Sequence, residues 1–477
     1  MLYSASVKTR KDLTQGPIFP HILRMSLPIL IGMMSQMLLN VIDGIYAGRL
    51  GLEASMAVLN YGFPVFYLLF AFFNGLSIGT NSVLARYIGG KHEGKAENAL
   101  GQILWITMGI LVVLVGIELL LQPLNYYLHF LKATENAARL THQFLAFLFL
   151  GMPFTLLALT LGGGGLRAEG NMRAMATAQM MAVFINILVA PFLVFGAFHA
   201  FGLGLHGFGL GVKGAGLAST VANVIASLYI IRLYIARKTL LRWILLPKWE
   251  SLEGVKGIFK VGVPSSISQI LIGVNWIIMT RLAVKFGATA VAAIGIGGRL
   301  DLLSVFPALA IMTSVLTLVG QNFGAKQYDR VRATVRIGLL TSFTTLTALS
   351  LIVFTFRHGI IGFFHQDPKT HDAALHYLSF QCLGYGLVGI NIVCSGAFQG
   401  LGRGLPFLLL TTLRLLFVAL PLAYFLSRPI AEGGFGEYGL HYTPVIASLL
   451  TAVLATTWIL SAVKGLKHPS PPAQQLA

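Results

Sequence analysis

Long apolar runs, each about 20 residues long and separated by Gly, Pro and charged residues, recur along the whole sequence. An α-helix of about 20 residues is long enough to cross the hydrocarbon core of a bilayer. The pattern predicts twelve membrane-spanning helices and leaves no segment long enough for a soluble domain. The predicted spans are 24–47, 57–83, 98–122, 141–162, 174–198, 212–236, 258–284, 289–320, 333–357, 374–397, 405–427 and 443–464.

The composition agrees with a membrane protein. Of the 477 residues, 56% are hydrophobic and 10% are charged, whereas soluble domains carry about 25% charged residues. The net charge of +18 lies in short connectors between apolar runs, so it does not indicate nucleic-acid binding. The first run is too long for the core of a signal peptide. We therefore interpret the chain as an all-α integral membrane protein.

Lysine and arginine concentrate in the loops that follow the even-numbered spans, as in Arg86 and Lys91 after span 2. Because loops rich in positive charge stay in the cytoplasm, both termini are predicted to be cytoplasmic. We expect a multi-pass protein of the cell (inner) membrane.

An internal repeat relates the two halves. Residues 24–36 align with 260–272, which pairs Pro28 with Pro264. Later matches keep nearly the same offset and pair Gly51 with Gly287, Gly89 with Gly324, Lys91 with Lys326, Arg173 with Arg403 and Pro191 with Pro421. Each repeat holds six spans, so both halves enter the membrane in the same direction. The repeat predicts two pseudo-symmetric six-helix bundles around a central cavity, an architecture suited to alternating access.

The predicted organisation has five parts. They are a cytoplasmic N-terminal arm (1–23), an N-terminal six-helix lobe (24–236), a cytoplasmic inter-lobe linker (237–257), a C-terminal six-helix lobe (258–464) and a cytoplasmic tail (465–477).

Asp43 is the leading candidate for a coupling residue. It lies 19 residues after Arg24, which places it in the outer part of helix 1. A carboxylic acid in a membrane span can hold a proton and release it when the site becomes hydrated or a cation arrives. Its proximity to the outer surface leaves open a simple helix-capping role. Asn40 shares its helix face and is the best auxiliary ligand, and Pro28 allows helix 1 to bend.

Other signals carry less weight. Glu118 and Asp301 are predicted to be structural, with Asp301 neutralised by Arg299 or another neighbour. The segment 89–95 matches part of a phosphate-binding loop but lacks the Ser/Thr and the preceding strand. Four histidines near one outer loop fit no standard metal-ligand spacing: His358, His365, His371 and His376. With no catalytic motif, the chain is not predicted to be an enzyme, and no cofactor or metal is expected.

These features together resemble the multidrug and toxic compound extrusion (MATE) family over nearly the whole chain. The matching segments include "SLPILIGMMSQMLLNVIDGIYAGRLG", "LRAEGNMR", "NILVAPFLVFG", "GVKGAGLAST" and "FQGLGRG". The segment "QNFGAKQYDR" and Arg299 resemble the DNA-damage-inducible (DinF-like) branch most.

The resemblance implies a secondary active antiporter that exports small, often cationic amphipathic compounds in exchange for H⁺ or Na⁺. In the family pattern, the helix 1 aspartate corresponds to Asp43 and the span 5 asparagine to Asn186, with the span 6 hydroxyl at Ser219 or Thr220. The family often has an acid four residues after that asparagine, where this chain has Ala190. The second-lobe acids of another branch are also missing, with Ile272 at one position. The missing acids favour H⁺ over Na⁺.

Two alternatives stay open at this point. A flippase for a lipid-linked or polysaccharide precursor shares the two-lobe architecture but needs a cavity rich in cationic side chains. A channel or receptor leaves Asp43 and the repeat without a role. The expected partners are small-molecule drugs or metabolites and membrane lipids, with no nucleic acid, and we expect a monomer. The sequence does not specify the substrate.

Overall fold

The computed structural model describes residues 12–200, 203–364 and 368–466. The chain is built from helices, with one short hairpin. The helices are α1 (Ile18–Arg49), α2 (Leu52–Ser55), α3 (Phe63–Gly89), α4 (Glu93–Leu121), α5 (Pro123–Phe130), α6 (Glu135–Leu150), α7 (Met152–Leu157), α8 (Met172–Val194), α9 (Val212–Ile235), α10 (Glu253–Ala283), α11 (Ala288–Gly324), α12 (Tyr328–Phe364), α13 (Pro368–Gly400), α14 (Leu405–Thr412), α15 (Leu420–Leu426) and α16 (Tyr438–Lys464).

The predicted all-α fold and its twelve spans are confirmed. Within the described ranges, eleven helices are long and apolar enough to cross a membrane, and a bent pair makes the twelfth. That pair joins Glu135–Leu150 to Met152–Leu166 at an angle of 48°. Gly151 and Pro153 lie at the bend, where proline removes a backbone hydrogen bond. Helix α1 begins at Ile18, six residues before the predicted span.

In the described ranges, three π-helical segments interrupt the spans. They are Met56–Gly62 before α3, Ala158–Leu166 after α7 and Leu413–Ala419 between α14 and α15. Strands β1 (Ala197–Ala200) and β2 (Leu203–His206) pair antiparallel just after α8. The predicted span 5 reached residue 198, but α8 ends at Val194 because the chain turns into this hairpin.

The chain divides into two compact units. One contains the residues up to Leu27, Ala85–His92 and the residues from Val263 onward, and the other contains Pro28–Leu84 and Glu93–Gly262. The boundaries within α1 and α10 therefore fall next to Pro28 and Pro264, the two prolines that the repeat pairs. The lobe limits predicted from the sequence stay predictions.

In the unit that contains Pro28–Leu84, α6 packs against both α9 and the π-helical start of span 2. Phe144, Leu145 and Val58 belong to its apolar core. The glycine run at 162–165 allows close packing, because a Cβ at Gly164 would overlap the Thr80 side chain and a Cβ at Gly165 the Tyr234 hydroxyl. Small residues at helix contacts of this kind are typical of membrane proteins.

The same unit includes the linker after α9, which lies docked on α4. Gln102 donates from its amide to the carbonyls of Lys248 and Ser251, the second at 2.9 Å. The Glu169 carboxylate accepts from the Leu241 amide at 2.9 Å. The linker is thus held in a defined path by hydrogen bonds to its backbone.

In the other unit, α11, α12 and α13 form the main packing layer. The ends of α3 and α11 meet there through a reciprocal pair of glycines. A Cβ at Gly89 would overlap the carbonyl of Gln321, and a Cβ at Gly324 would overlap the carbonyl of Arg86. The repeat pairs Gly89 with Gly324 and, by the same offset of 235, Arg86 with Gln321. The contact is therefore pseudo-symmetric.

The end of the N-terminal arm also belongs to this unit. Leu13 is buried, and its carbonyl accepts from the Asn322 amide at 3.3 Å. Arg330 donates to the Asn322 side chain at 2.9 Å and to the Gly16 carbonyl at 2.9 Å. Burial raises the pKa of Asp12, but hydrogen bonds from Thr14 and the charges of nearby cations outweigh it, so the pKa lies below its ordinary value. The part of the arm after residue 11 is thus attached to the start of α12.

Candidate functional site

Asp43 lies where α1 runs beside α8. One contact between these helices is at Gly32, where a Cβ would overlap the Gln179 side chain. Further along, Tyr46 packs against the apolar cluster that contains Ala190, and its ring meets Phe195 edge to face with centroids 5.8 Å apart. The contact at Gly32 joins residues 147 apart and the Tyr46–Phe195 contact joins residues 149 apart, so the helices run parallel. Asp43, half-buried and between these contacts, therefore lies nearly level with Ala190 of α8, about one helical turn beyond Asn186.

Asn186 and Ser219 come together about one turn of α8 before this level. The Asn186 amide nitrogen donates to the Ser219 hydroxyl at 3.1 Å, which joins α8 to α9. Asn186 is 1% exposed, and its amide oxygen has no hydrogen-bond partner among the described residues. A buried acceptor without a donor is energetically unfavourable, so this oxygen can readily accept a proton donor or a cation.

Ala190 occupies the position where the family pattern often has an acid. It is 2% exposed and packs with Val194 and Ala218, with Tyr46 and Leu50 against the cluster. The methyl group is therefore part of an apolar contact between three helices.

The remaining predicted site residues are placed differently. Thr220 donates to the Phe147 carbonyl at 2.6 Å, so its hydroxyl holds α9 on α6 and is separate from the Asn186–Ser219 pair. Asn40 lies in α1, but its side chain is outside the described part of the structure. Pro28 lies inside α1, which continues to Arg49. The bend predicted at Pro28 stays a prediction.

The predicted polar groups of this region are the Asp43 carboxylate on α1, the Asn186 amide oxygen on α8 and the Ser219 hydroxyl on α9, and of these the structure joins Asn186 to Ser219. Within the described residues, no lysine or arginine forms an ion pair with Asp43. A single acid with neutral oxygen donors can exchange a proton, and a neutral acid can donate a hydrogen bond to an amide oxygen.

Sequence reasoning missed a second polar cluster, in the unit that contains α11. The Tyr377 hydroxyl donates to one carboxylate oxygen of Asp301 at 2.6 Å, and the Tyr385 hydroxyl donates to the other at 2.7 Å. The sequence offered Arg299 or another neighbour as the partner of Asp301, and the structure gives two tyrosines of α13. Their spacing of eight residues, about two helical turns, was the available signal.

The outer-loop histidines divide into separate pairs. The rings of His358 and His371 have centroids 6.2 Å apart. His376 instead pairs with His441, with 3.0 Å between the two Nδ1 atoms. His365 lies outside the described residues. Among the described residues, no group of three or more His, Cys, Asp or Glu side chains is arranged to hold a metal.

Comparison with known proteins assigns the family. A family model described as MatE matches residues 28–192 and 264–425, one stretch in each half and together more than half of the chain. The chain belongs to the MATE family. The family predicted from the sequence is confirmed, and the DinF-like branch stays a prediction.

Relatives and solved structures agree with the MATE assignment. The FAD transporter of Shewanella oneidensis is 27% identical over 430 residues, which cover 87% of this chain and 90% of the relative. The multidrug export protein MepA of Staphylococcus saprophyticus is 26% identical over 446 residues, covering 92% and 93%. A crystal structure of MATE in complex with MaD3S superimposes with a TM-score of 0.86 at 25% identity, covering 96% of this chain and all of that chain.

Family membership makes this chain a multi-pass membrane transporter of small molecules, and it confirms the prediction that the chain is not an enzyme. The two halves of the chain each match the MatE family model once, which explains why the match has two stretches.

Proposed function

We propose that this MATE transporter exports small, often cationic amphipathic compounds in exchange for a coupling cation by alternating access, with Asp43 as the coupling acid. The observation that carries the proposal is the position of Asp43 in α1, about one helical turn from the level of Asn186 in α8, whose amide oxygen has no hydrogen-bond partner among the described residues. The proposal places the protein in the cell (inner) membrane as a monomer, with both termini in the cytoplasm.

The coupling ion in this proposal is H⁺. An alkali cation in a protein prefers several oxygen ligands with enough negative charge to replace its water, whereas a proton needs one carboxylate. Ala190 removes the second carboxylate from this level and replaces it with apolar packing. Asn186 and Ser219 then serve as neutral partners that favour the protonated acid. Na⁺ is the alternative that the experiment distinguishes.

The substrate class is tested together with the ion. One relative carries the name multidrug export protein and another the name FAD transporter, so a cationic dye and a flavin nucleotide are the two natural probes. FAD carries phosphate groups, and its transport would require a cavity that tolerates negative charge. We expect the cationic dye to be the better substrate.

The decisive variant is Asp43→Asn, which keeps the size of the side chain and removes the exchangeable proton. In proteoliposomes with an imposed pH gradient, we expect dye transport by Asp43→Asn to fall to the level of empty liposomes, at least about tenfold below wild type. The same measurement under a Na⁺ gradient identifies the ion.

Glu118→Gln is the matched control, because it neutralises another acid of the N-terminal half. The Glu118 carboxylate accepts from the Leu124 amide at 3.4 Å near the end of α4. We expect this variant to retain gradient-driven transport. Equal transport by wild type and Asp43→Asn at matched protein levels would exclude Asp43 as the coupling acid.

A further inference from the structure

The linker after α9 contains an apolar loop between two cations. Residues 242–248 read RWILLPK, so Arg242 and Lys248 flank an uncharged stretch at 243–247. Within this apolar loop (243–247), Leu245 is 58% exposed and Leu246 is 83% exposed. Contact between large apolar side chains and water is unfavourable, so the loop favours an apolar surrounding.

Helix α4, on which the linker lies, provides a scale of depth in the membrane. Its residues 98–117 carry no charge and span about 30 Å, which matches the hydrocarbon core of a bilayer. Glu97 and Glu118 border this uncharged stretch. One edge of the hydrocarbon core therefore falls near Asn98.

Both ends of the apolar loop lie at this edge. The Arg242 amide donates to the Glu97 carboxylate at 2.8 Å, which fixes the first end. The Lys248 amide donates to the Asn98 side chain at 2.7 Å, which fixes the second. The two cations that flank the loop are thus level with the border between the charged and the apolar residues of α4. In a membrane, this is the level of the lipid headgroups.

The middle of the loop lies deeper. The Trp105 indole donates to the Leu245 carbonyl at 2.7 Å, and Trp105 lies about 10 Å beyond Asn98 along α4. Gly101 lies between these levels, and a Cβ there would overlap the Ile244 carbonyl. The loop therefore follows α4 about 5–10 Å past the edge and returns, which is the depth of an interfacial apolar segment.

Side chains of α4 supply the hydrogen bonds that the linker backbone needs at this depth. Gln102 and Asn98 both donate to the Lys248 carbonyl. Trp105 is the donor to the Leu245 carbonyl. A carbonyl without a donor is strongly unfavourable in hydrocarbon, so non-helical backbone at membrane depth needs partners from the protein. A loop in water obtains these bonds from the solvent, whereas an inserted loop requires donors such as those of α4.

The charge around the loop is positive. Residues 237–252 contain four lysines or arginines and one acid, Glu250. Arg242 and Lys248 are exposed, and neither forms an ion pair among the described residues. The carboxylate of Glu97 is engaged by a backbone amide of the linker. Cations at headgroup depth attract the phosphate groups of anionic phospholipids.

We infer that the apolar loop (243–247) inserts into the cytoplasmic leaflet of the membrane, where Arg242 and Lys248 bind the phosphate groups of anionic phospholipids. Insertion requires apolar side chains at positions 245 and 246 but no particular residue there. The insertion does not depend on the proposed transport, and the choice of the cytoplasmic leaflet rests on the proposed topology.

Thiol labelling measures the depth of the loop. The full-length protein is reconstituted in lipid nanodiscs, and the variants Leu246→Cys and Glu250→Cys are reacted with a water-soluble maleimide. The native cysteines, Cys382 and Cys394, are buried and give the background rate. We expect Leu246→Cys to react at least about tenfold more slowly than Glu250→Cys, because hydrocarbon excludes the reagent.

Val112→Cys is the control for a position that faces lipid. Val112 lies in the middle of α4 and is 71% exposed, so slow labelling there results from lipid and not from packing within the protein. Leu246 is still more exposed in the protein, and slow labelling at both positions therefore supports insertion. Equal rates for Leu246→Cys and Glu250→Cys would place the loop in water and overturn the inference.

Native mass spectrometry measures the binding of headgroups. The purified protein is titrated with phosphatidylglycerol, which is anionic, and with phosphatidylcholine, which has no net charge. We expect Arg242→Gln combined with Lys248→Gln to lower the preference for phosphatidylglycerol at least about tenfold. Lys132→Gln combined with Arg139→Gln removes two exposed cations outside the linker and is expected to keep the preference.

Two results would overturn the headgroup contact. One is an unchanged preference in the folded linker variant. The other is complete displacement of phosphatidylglycerol by inorganic phosphate, which would indicate a site for free anions. Lys248→Gln alone carries the test if the double variant does not fold. Neither measurement uses dye transport, so failure of the proposed antiport would leave both results intact.

Discussion

Each acid in the middle of this transporter depends on a few neighbours for its chemistry. Asp43 lies about one helical turn from the level of the Asn186 amide oxygen, which has no donor among the described residues, and Asp301 accepts from two phenols. Ala190 shows the opposite environment one turn beyond Asn186, where three helices meet through methyl and aromatic groups. The difference between a polar and an apolar turn of the same helix determines where an ion can bind.

Ala190→Asp tests this contrast. A carboxylate packed against Val194 and Ala218 loses most of its hydration, and an uncompensated buried charge destabilises a protein by about 3 kcal/mol. We expect a lower Tm in detergent at alkaline pH than for Ala190→Asn. The difference disappears as the pH falls, because the protonated acid is neutral like the amide. Equal Tm values for the two variants at alkaline pH would show that the turn is hydrated.

At this scale the sequence could identify the acids but not their partners. Asp43 and Asp301 stand out because charge is rare within apolar spans. The unpartnered oxygen of Asn186 depends on how its amide is turned by Ser219, a detail of helix packing that periodicity does not encode. The engagement of Thr220 with Phe147 has the same origin.

Among the elements, the linker between the halves shows the most unexpected order. Charge and aromatic residues at 237–257 predicted a cytoplasmic connector, and the structure fixes its path by side chains of α4 and Glu169. Gln102 is 1% exposed and holds two linker carbonyls. Such buried contacts are costly to break on one side only.

Gln102→Leu is therefore expected to loosen the linker from α4. The Ser251 carbonyl loses its Gln102 donor and the Lys248 carbonyl keeps only the Asn98 amide, so we expect trypsin to cut after Arg242 or Lys248 about tenfold faster than in wild type. Limited proteolysis in detergent followed by mass spectrometry measures this rate. Glu250→Gln, at an exposed linker position, is the control. Equal rates for Gln102→Leu and the control would mean that the amide contacts do not order the linker.

The helices also show which structural features the length of an apolar run does not predict. Their length predicted the spans, because a bilayer requires about 20 residues. The π-helical segments and the bend at Gly151 were not predicted, because they arise from one extra residue or a lost hydrogen bond within a run that stays apolar. The hairpin after α8 was hidden for a similar reason, since Ala197 and Phe198 extend the apolar run.

For the whole molecule, the repeat is the strongest feature of the sequence and also explains contacts that were not predicted. The glycines at 89 and 324 were paired by alignment alone. In the structure each of them lies against the carbonyl three residues before the other. The two glycines that the repeat pairs also meet in the structure, because both lie at the ends of equivalent helices, α3 and α11.

Gly89→Ala and Gly324→Ala test this reciprocal contact. An added Cβ forces the two backbones apart, and we expect each variant to lose about 1–3 kcal/mol of stability. The double variant is expected to lose less than the sum, because both changes open the same contact. Thermal unfolding in detergent measures all three. Gly116→Ala in α4, where a Cβ meets open space, is expected to retain wild-type stability, and strict additivity would contradict a shared contact.

The hydrogen bonds that hold the linker backbone affect how the sequence of the linker can diverge among homologues. Lys248, Ser251 and Leu241 are all held through backbone amides or carbonyls, and Trp105 likewise donates to the Leu245 carbonyl at 2.7 Å. Main-chain groups are common to nearly every amino acid. Substitutions along the linker can therefore accumulate with little effect, while insertion or deletion of one residue moves every anchored group out of register. Among homologues, we expect the linker to vary in amino-acid sequence and to keep its length.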